Sequence, residues 1–265
     1  MKIEHTQVFG FRMAIQYAMR NPMDSWDDSD SEFYMPMPPP VGTDSSYIHA
    51  PENPNIGPND LKLARRLIIR GSEHSKFMRQ IIVWVNITIP RYVWQELDTY
   101  KVATVRNSCS TMNKLGSTDL EQSDFQHPIP HTHLENINAL AKVLREAKQE
   151  HEGVREARVQ LKNDLPEGYL QRASYTFSYQ TALAMLLQRA NHRLPEWRID
   201  CEGSICHWLV SLPYMKEFYE AATWKKNEIR NVIAEMMQLE LNLKDKDPGT
   251  AQAISILRSR LKRAA

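Results

Sequence analysis

The sequence has little glycine and almost no surplus charge, and both shortages exclude classes of protein. It contains 9 glycines against 15 prolines, so a flexible Gly-rich chain is excluded and a Gly-rich dinucleotide loop is disfavoured. The formal net charge of +1 argues against a general nucleic-acid coat or a polybasic membrane binder. A local basic pocket for one phosphate is compatible with this balance. We therefore expect no nucleic-acid partner.

Cysteines are few, and long apolar runs are missing. The 3 cysteines, Cys109, Cys201 and Cys206, form no CxxC pair, so a reducing cytoplasm is the predicted location. The strongest apolar stretch, Ile81 to Ile89, is about half of the ~18 residues that a membrane helix needs. Residues 1–20 lack the apolar run of a signal peptide. The sequence predicts a soluble protein with no membrane partner.

Standard catalytic and metal-binding signatures are also absent. The sequence has no P-loop, HExxH, GxSxG or GxGxxG pattern. His127, His131 and His133 lie among prolines without a carboxylate at helical spacing, so a loop is favoured over a zinc site. Cys201 and Cys206 are interpreted as thiols packed in a helix. No metal is expected.

The hydrophobic pattern predicts an α+β chain with many helices and at least one strand. QIIVWVNITI, at 80–89, is rich in β-branched residues and predicts a buried strand. A proline-rich extended loop is predicted over 21–58, an irregular segment over 101–115 and a loop over 127–133, with a turn at 245–249. Helical patterns cover 6–20, 59–70, 91–100, 134–161, 175–193, 199–212, 215–243 and 250–262.

Three stretches carry a resemblance to a known family. They are GSEHSKFMRQ at 71–80, TYKVATVRNSCSTM at 99–112 and LPEGYLQRASYTFSYQTALAMLLQRANHRLPEWR at 165–198. Through them the chain resembles the flavin-dependent thymidylate synthases, in a divergent form of the kind associated with phage genomes. The likeness covers roughly residues 61–215. The loop at 21–58 and a C-terminal helical extension at 216–265 lie outside it, within what is expected to be a single domain over 1–265.

The second stretch occupies the place of the family signature RHRxxSxNExSxRY. Asn107 and Ser110 match its Asn and its second Ser, whereas Ser108 stands where the family has Glu. The final Arg-Tyr is replaced at 112–113, and of the Arg-His-Arg triplet only the positive charge of Lys101 remains. A lysine makes a point-charge contact and does not reproduce the guanidinium fork. The departures predict altered flavin binding.

The resemblance implies a fold, a reaction and a set of site residues. It implies an α+β fold with a small central sheet, and a homotetramer whose active sites combine several subunits. FAD would be reduced by NADPH, methylenetetrahydrofolate would carry the one-carbon unit, and dUMP would become dTMP in the cytoplasm, that of a host if the chain is phage-encoded. The implied substrate-binding residues are Ser108, Ser110, Arg172 and Arg198. The implied flavin-binding residues are Ser72, Arg79, Lys101, Asn107 and Arg189.

Alternatives to this enzyme remain open. A variant enzyme would modify another pyrimidine deoxynucleotide by one-carbon chemistry. A non-catalytic relative would keep the nucleotide pocket and lose the flavin, which the altered signature favours. An interaction protein would instead use the proline-rich loop and the basic C-terminal helix. Cys109 is a conceivable nucleophile, but the loop shows no neighbouring base.

Overall fold

A four-stranded antiparallel sheet forms the centre of the computed structural model, which describes residues 1–34, 53–147, 151–242 and 248–264. The strand bounds are Lys2–Phe9 (β1), Glu32–Tyr34 (β2), Asn53–Asn55 (β3), Ile82–Pro90 (β4), Val105–Ser108 (β5) and Leu170–Ser178 (β6). The strands of the central sheet lie in the order β1-β4-β6-β5, and a separate pair, β2 and β3, forms a small antiparallel ladder.

The central strands have one buried and one open face. Along β4, Val83, Val85 and Ile87 are buried, while Trp84 between them is 55% exposed. This alternation follows the period of two in a strand. The buried strand predicted over 80–89 is therefore buried on one face only, which we call the inner face. The outer face carries polar side chains.

Helices cover the inner face and form the main hydrophobic core. The starts of α6 and α8 supply the buried Tyr179 and Phe218, and α1 packs against α8. A second cluster around Ile137, Phe125 and Leu161 joins α4 and α5 to the segment after β5. The helix bounds are Pro58–Ile69 (α1), Arg91–Leu97 (α2), Thr111–Lys114 (α3), His131–Glu146 (α4), Glu152–Asp164 (α5), Tyr179–Arg189 (α6), Ile205–Val210 (α7), Met215–Asn242 (α8) and Pro248–Ala264 (α9).

The predicted fold class, a helix-rich α+β arrangement with a small central sheet, is confirmed. Several local predictions are wrong. The helical pattern at 6–20 is a strand followed by a π-helix at Met13–Ala18, and the helix predicted at 175–193 begins only at Tyr179 because 175–178 belong to β6. The irregular segment at 101–115 contains β5 and α3, and α4 begins at His131, inside the predicted loop. In β1, β5 and β6, pairing with neighbouring strands overrides the local pattern.

The segment before α1 is fixed to that helix by a buried ion pair. The Arg20 Nε atom donates to the Asp60 carboxylate at 2.7 Å, and Asp60 is fully buried. Ser29 and Ser31 donate their hydroxyls to the same carboxylate at 2.6 and 2.5 Å. The predicted extended loop at 21–58 thus contains ordered turns and the β2–β3 pair. Residues 35–52 and 243–247 lie outside the described part of the chain.

No helix in the described ranges combines the length and the apolar character needed to cross a membrane.

Candidate functional site

The strand register arranges the outer face into transverse rows of polar side chains. Residues paired across antiparallel strands point to the same face. The first row runs over β1, β4 and β6 and consists of Lys2, Thr88 and Arg172. The second row crosses all four strands and consists of Glu4, Asn86, Ser174 and Asn107.

Two adjoining cavities lie over these rows. The larger has a volume of about 560 Å³ and the smaller about 400 Å³, and both are lined by Glu4, Cys109 and Arg172. Ser110 lines the larger cavity, and Ser108 lines the smaller one. The smaller cavity also contains Asn107, together with the amide and hydroxyl groups of the second row. We call the two together the outer-face cavity.

Arg172 places a positive charge in this cavity that no carboxylate of the described residues compensates. Its side chain is exposed, and within the described ranges it has no carboxylate partner and no side-chain hydrogen bond. Lys2 and Lys114 line the same larger cavity, opposed by Glu4 and Asp124. The cavity therefore combines cations suited to a phosphate with neutral polar groups suited to a base.

The loop after β5 is held in place by backbone contacts to β6. The Cys109 N–H donates to the Arg172 carbonyl oxygen at 2.8 Å, and the Gln171 side-chain amide donates to the Cys109 carbonyl oxygen at 2.8 Å. Lys162 on α5 donates to the Thr111 hydroxyl. Burial lowers the pKa of Lys162, with a smaller contribution from the nearby Arg91. These contacts fix the positions of the two flanking serines of the loop.

Arg198 stands apart from the outer-face cavity. Its guanidinium forms a two-point contact with Asp200, with Nε to Oδ1 at 2.8 Å. Hydrogen bonding to Arg198 lowers the pKa of Asp200, and the same contact raises the pKa of Arg198. Arg198 lines neither of the two cavities. Within one chain it is a neutralised arginine, unlike Arg172.

Three of the predicted flavin-binding residues lie at the surface near the start of α6. Ser72 and Lys101 are exposed, and Arg79 is half-exposed with the Glu73 carboxylate 3.7 Å from its Nη2. Two contacts tie their segments to α6. The Ser75 hydroxyl donates to Gln180 at 3.3 Å, and Thr181 donates to the Val102 carbonyl oxygen at 3.2 Å. The fourth, Asn107, lies on the outer face of the sheet instead.

The fifth, Arg189, is committed to a half-buried network at the end of α6. Its Nη1 atom lies 2.9 Å from the Glu96 carboxylate, and its Nε donates to the Tyr100 hydroxyl at 3.3 Å. The guanidinium also lies over the Trp197 ring, 5.3 Å from the centroid. Because its charge is already compensated, Arg189 has little positive charge to offer a ligand in this arrangement.

The other singled-out side chains take structural positions. The His133 Nε2 atom lies 2.9 Å from the Asp164 carbonyl oxygen, joining α4 to α5. Within the described ranges, no three His, Cys, Asp or Glu side chains are grouped as a metal site would require. Cys206 is buried in α7, and burial raises its pKa to about 12. Cys201 is half-buried and precedes α7, so the prediction of a thiol packed in a helix is confirmed for Cys206 and wrong for Cys201.

Sequence reasoning missed the residues that β1 and β4 contribute to the cavity. Asn86 and Thr88 alternate with apolar residues in the strand, so their polar character at i and i+2 was an available signal for one open face. Lys2 and Glu4 carried no such signal, because residues 1–5 were assigned to no element and the rest of β1, at 6–9, was interpreted as helical. Only the register brings these four residues beside Arg172.

Solved structures of similar fold are known. The flavin-dependent thymidylate synthase ThyX from Helicobacter pylori, complexed with FAD and dUMP, matches with a TM-score of 0.55 and 16% identity, over 83% of this chain and 99% of that chain. A second structure of thymidylate synthase X from that organism, with FAD and dUMP, matches with a TM-score of 0.53 and 15% identity, over 84% and 99%. No protein-family model matches the sequence, and no curated protein matches it. The likeness shows the fold.

Proposed function

We propose that the protein catalyses flavin-dependent one-carbon transfer to a pyrimidine deoxynucleotide, converting dUMP to dTMP or making a variant modification. The proposal includes NADPH as reductant, methylenetetrahydrofolate as carbon donor and a homotetrameric assembly in the cytoplasm. It draws on the fold shared with ThyX and on the residues gathered at the outer-face cavity. It treats the chain as one domain with a family-like core at 61–215 and an added helical extension at 216–265.

The observation that carries the proposal is Arg172, which lies beside a polar pocket and has no carboxylate partner in the described part of the chain. A guanidinium without a carboxylate partner suits a phosphate, which it binds through two parallel hydrogen bonds. Asn107, Ser108 and Ser110 lie next to it and offer donors and acceptors for the edge of a uracil ring. Arrangement of these four residues around one cavity agrees with a nucleotide held by its phosphate and read by its base.

The cofactor residues fit a flavin in part. Ser72, Arg79 and Lys101 border the start of α6 with exposed polar and cationic groups, which suit the pyrophosphate of FAD. Arg189 is neutralised by Glu96 and lies at the other end of that helix. When bound, FAD would supply the reducing chemistry that converts the transferred carbon to a methyl group. Within one chain, we assign flavin binding to the first three residues.

A second candidate function is nucleotide binding without flavin chemistry. It is favoured by the contrast between the two residue sets: three of the four substrate residues, Ser108, Ser110 and Arg172, converge on one cavity, whereas Asn107 and Arg189 lie apart from the remaining flavin residues. A protein that senses or stores a pyrimidine nucleotide needs only the first set.

The test is an absorbance spectrum followed by ligand binding on the same preparation. The purified protein is scanned from about 350 to 500 nm before and after incubation with FAD and gel filtration. Thermal unfolding is then measured with dUMP and with deoxyuridine, because a ligand of the native state raises the unfolding temperature. Deoxyuridine is the matched control for the phosphate. Formation of dTMP from dUMP, methylenetetrahydrofolate and NADPH is followed by chromatography.

A retained flavin band with dTMP formation is the expected result. Stabilisation by dUMP in a protein that remains colourless after FAD would support the second candidate and overturn the redox reaction. A protein that neither retains FAD nor is stabilised by dUMP more than by deoxyuridine would overturn both functions.

A further inference from the structure

His5 occupies an unusual backbone position beside the outer-face cavity. In β1, Glu4 pairs with Asn86 and Gln7 pairs with Trp84, so His5 and Thr6 both stand opposite one residue of β4. This extra residue is a β-bulge, a device that redirects a side chain. His5 also has φ of 53°, in the left-handed region that non-glycine residues seldom occupy. Such outliers concentrate at binding and catalytic sites.

Because of the bulge, His5 lies on the outer face of the sheet, where a regular strand would not place it. Glu4 points to the outer face with its partner Asn86, so the next residue of a regular strand would point inward. The His5 ring instead lines the smaller cavity, with Nδ1 at 3.2 Å from the Asn86 side-chain nitrogen. Glu4, Arg172 and Cys109 are the other ionisable side chains that line this cavity.

In the described orientation of the Asn86 amide, a chain of side-chain hydrogen bonds sets the tautomer of His5. The Ser174 hydroxyl on β6 donates to the Asn86 Oδ1 atom at 2.7 Å, so the Asn86 amide presents its N–H₂ group to His5. The His5 Nδ1 atom must then accept, and the ring proton of the neutral imidazole lies on Nε2. Within the described ranges, Nε2 has no hydrogen-bond partner. It is a donor available to a ligand.

The same chain can also accommodate a protonated ring. If His5 takes a second proton, Nδ1 becomes a donor and the Asn86 amide must turn over to present Oδ1. The Ser174 hydroxyl can then accept from the amide nitrogen, because a hydroxyl both donates and accepts. No partner is lost in the exchange. The Nδ1 atom of His5 therefore keeps a hydrogen-bond partner in either protonation state.

We infer that His5 is a further ligand-contacting residue, which donates its Nε2–H to the bound pyrimidine nucleotide, and that Asn86 and Ser174 are its positioning residues. The inference rests on the proposed function. It adds a residue from β1 to a site that the sequence assigned to the loop after β5 and to β6. The acceptor on the ligand would be a carbonyl oxygen of the base or an oxygen of the phosphate.

The test compares dUMP affinity in matched variants at two pH values. His5→Asn removes the imidazole and keeps a residue that tolerates the left-handed backbone. His131→Gln, at the exposed start of α4, is the control. Calorimetric titrations near pH 6 and near pH 8 bracket the range in which histidine changes charge. The protonation of dUMP itself is the same with the wild type and with each variant. It therefore cancels when their dissociation constants are compared at one pH.

We expect His5→Asn to weaken dUMP binding about 3- to 10-fold near pH 8 and by at least as much near pH 6, because a hydrogen-bond donor to the ligand is lost. Asn86→Asp should move the ring proton of His5 from Nε2 to Nδ1, because a carboxylate can only accept from Nδ1. The Nε2 atom of the neutral ring then becomes an acceptor, so this variant should bind dUMP near pH 8 at least as weakly as His5→Asn does. A role of Asn86 limited to folding would leave the Nε2–H tautomer of His5 in place.

Nitrogen NMR of histidine-labelled protein gives the second readout. We expect the Nε2–H tautomer for His5 near pH 8, and a shift of its ring nitrogens on addition of dUMP that His131 does not show. If the wild type binds dUMP while His5→Asn binds it equally well at both pH values, the role of His5 is refuted and the proposed function stands. If the wild type does not bind dUMP at all, the proposed function fails and His5 is no nucleotide ligand.

Discussion

The two arginines expected to hold the nucleotide phosphate should contribute unequally. Arg172 has no carboxylate partner within the described ranges and lines both parts of the outer-face cavity. Arg198 is held in a two-point contact with Asp200 and lines neither part. To bind a phosphate, the Arg198 guanidinium must first give up its contact with the Asp200 carboxylate. The loss of that ion pair offsets most of the free energy gained from the phosphate. Only Arg172 binds without breaking an existing ion pair.

The structure sets the size of the expected effect. A hydrogen bond to a charged group contributes about 1.5–3 kcal/mol, which corresponds to about 10- to 150-fold in a dissociation constant. Because Arg172 is exposed in the free chain, solvent screening places the expected loss for Arg172→Ala toward the lower end, about 10- to 50-fold. For Arg198→Ala we expect less than about 3-fold, since an exposed ion pair is worth little.

Calorimetry with dUMP and deoxyuridine tests this difference. Arg172→Ala should lose affinity for dUMP while its weaker binding of deoxyuridine stays unchanged, which assigns the loss to the phosphate. Arg172→Lys should lose less, because it keeps the charge and loses only the fork. Asp200→Asn removes the charge that holds Arg198. Combined with Arg172→Ala, it should restore part of the lost dUMP affinity if both arginines can reach the phosphate.

The reverse order of effects would refute the assignment of Arg172 to the phosphate. Unchanged dUMP affinity in Arg172→Ala would remove Arg172 from the site. A larger loss in Arg198→Ala than in Arg172→Ala would mean that the Asp200 contact is exchanged for a ligand contact, and that the free charge of Arg172 is a poor guide to binding.

Three further results are expected. Lys101→Ala should lower the flavin content of the purified protein, and full content after FAD loading would exclude Lys101 from the flavin site. Gly10→Ala should destabilise the fold by more than about 2 kcal/mol in urea titrations, because the added Cβ would lie 2.3 Å from a backbone carbonyl oxygen. Gly71→Ala is the control, because Gly71 also has a positive φ but its added Cβ would meet nothing within 4 Å, and it should lower the free energy of unfolding by less. Equal losses of stability would argue against the steric reason. Cys109, which lines the cavity, should react with a thiol reagent and be protected by dUMP, whereas Cys206, with its pKa raised to about 12 by burial, should react only on unfolding. Reaction of Cys206 in the folded protein would contradict its burial, and a reaction of Cys109 that dUMP does not slow would argue against nucleotide binding beside it.

The fold class could be predicted from the sequence because the strongest patterns are local. The apolar, β-branched run of β4 and the periodic helices α1, α8 and α9 encode their own secondary structure through side-chain spacing. Elements whose structure depends on a distant partner could not be predicted in this way. β1 and β5 are edge strands that gain their hydrogen bonds from β4 and β6, far away in the chain.

The same distinction between local pattern and tertiary contact applies to the candidate site. The sequence by itself determined which residue types are present: Arg172, two serines and Asn107 in stretches that resemble a nucleotide-binding family. The tertiary structure decided which charges are free, because an arginine is neutralised only by a carboxylate that the fold brings to it, as happens for Arg198 and Arg189. It also decided that His5 reaches the cavity, since a bulge in strand pairing, which no local pattern records, sets the direction of that side chain.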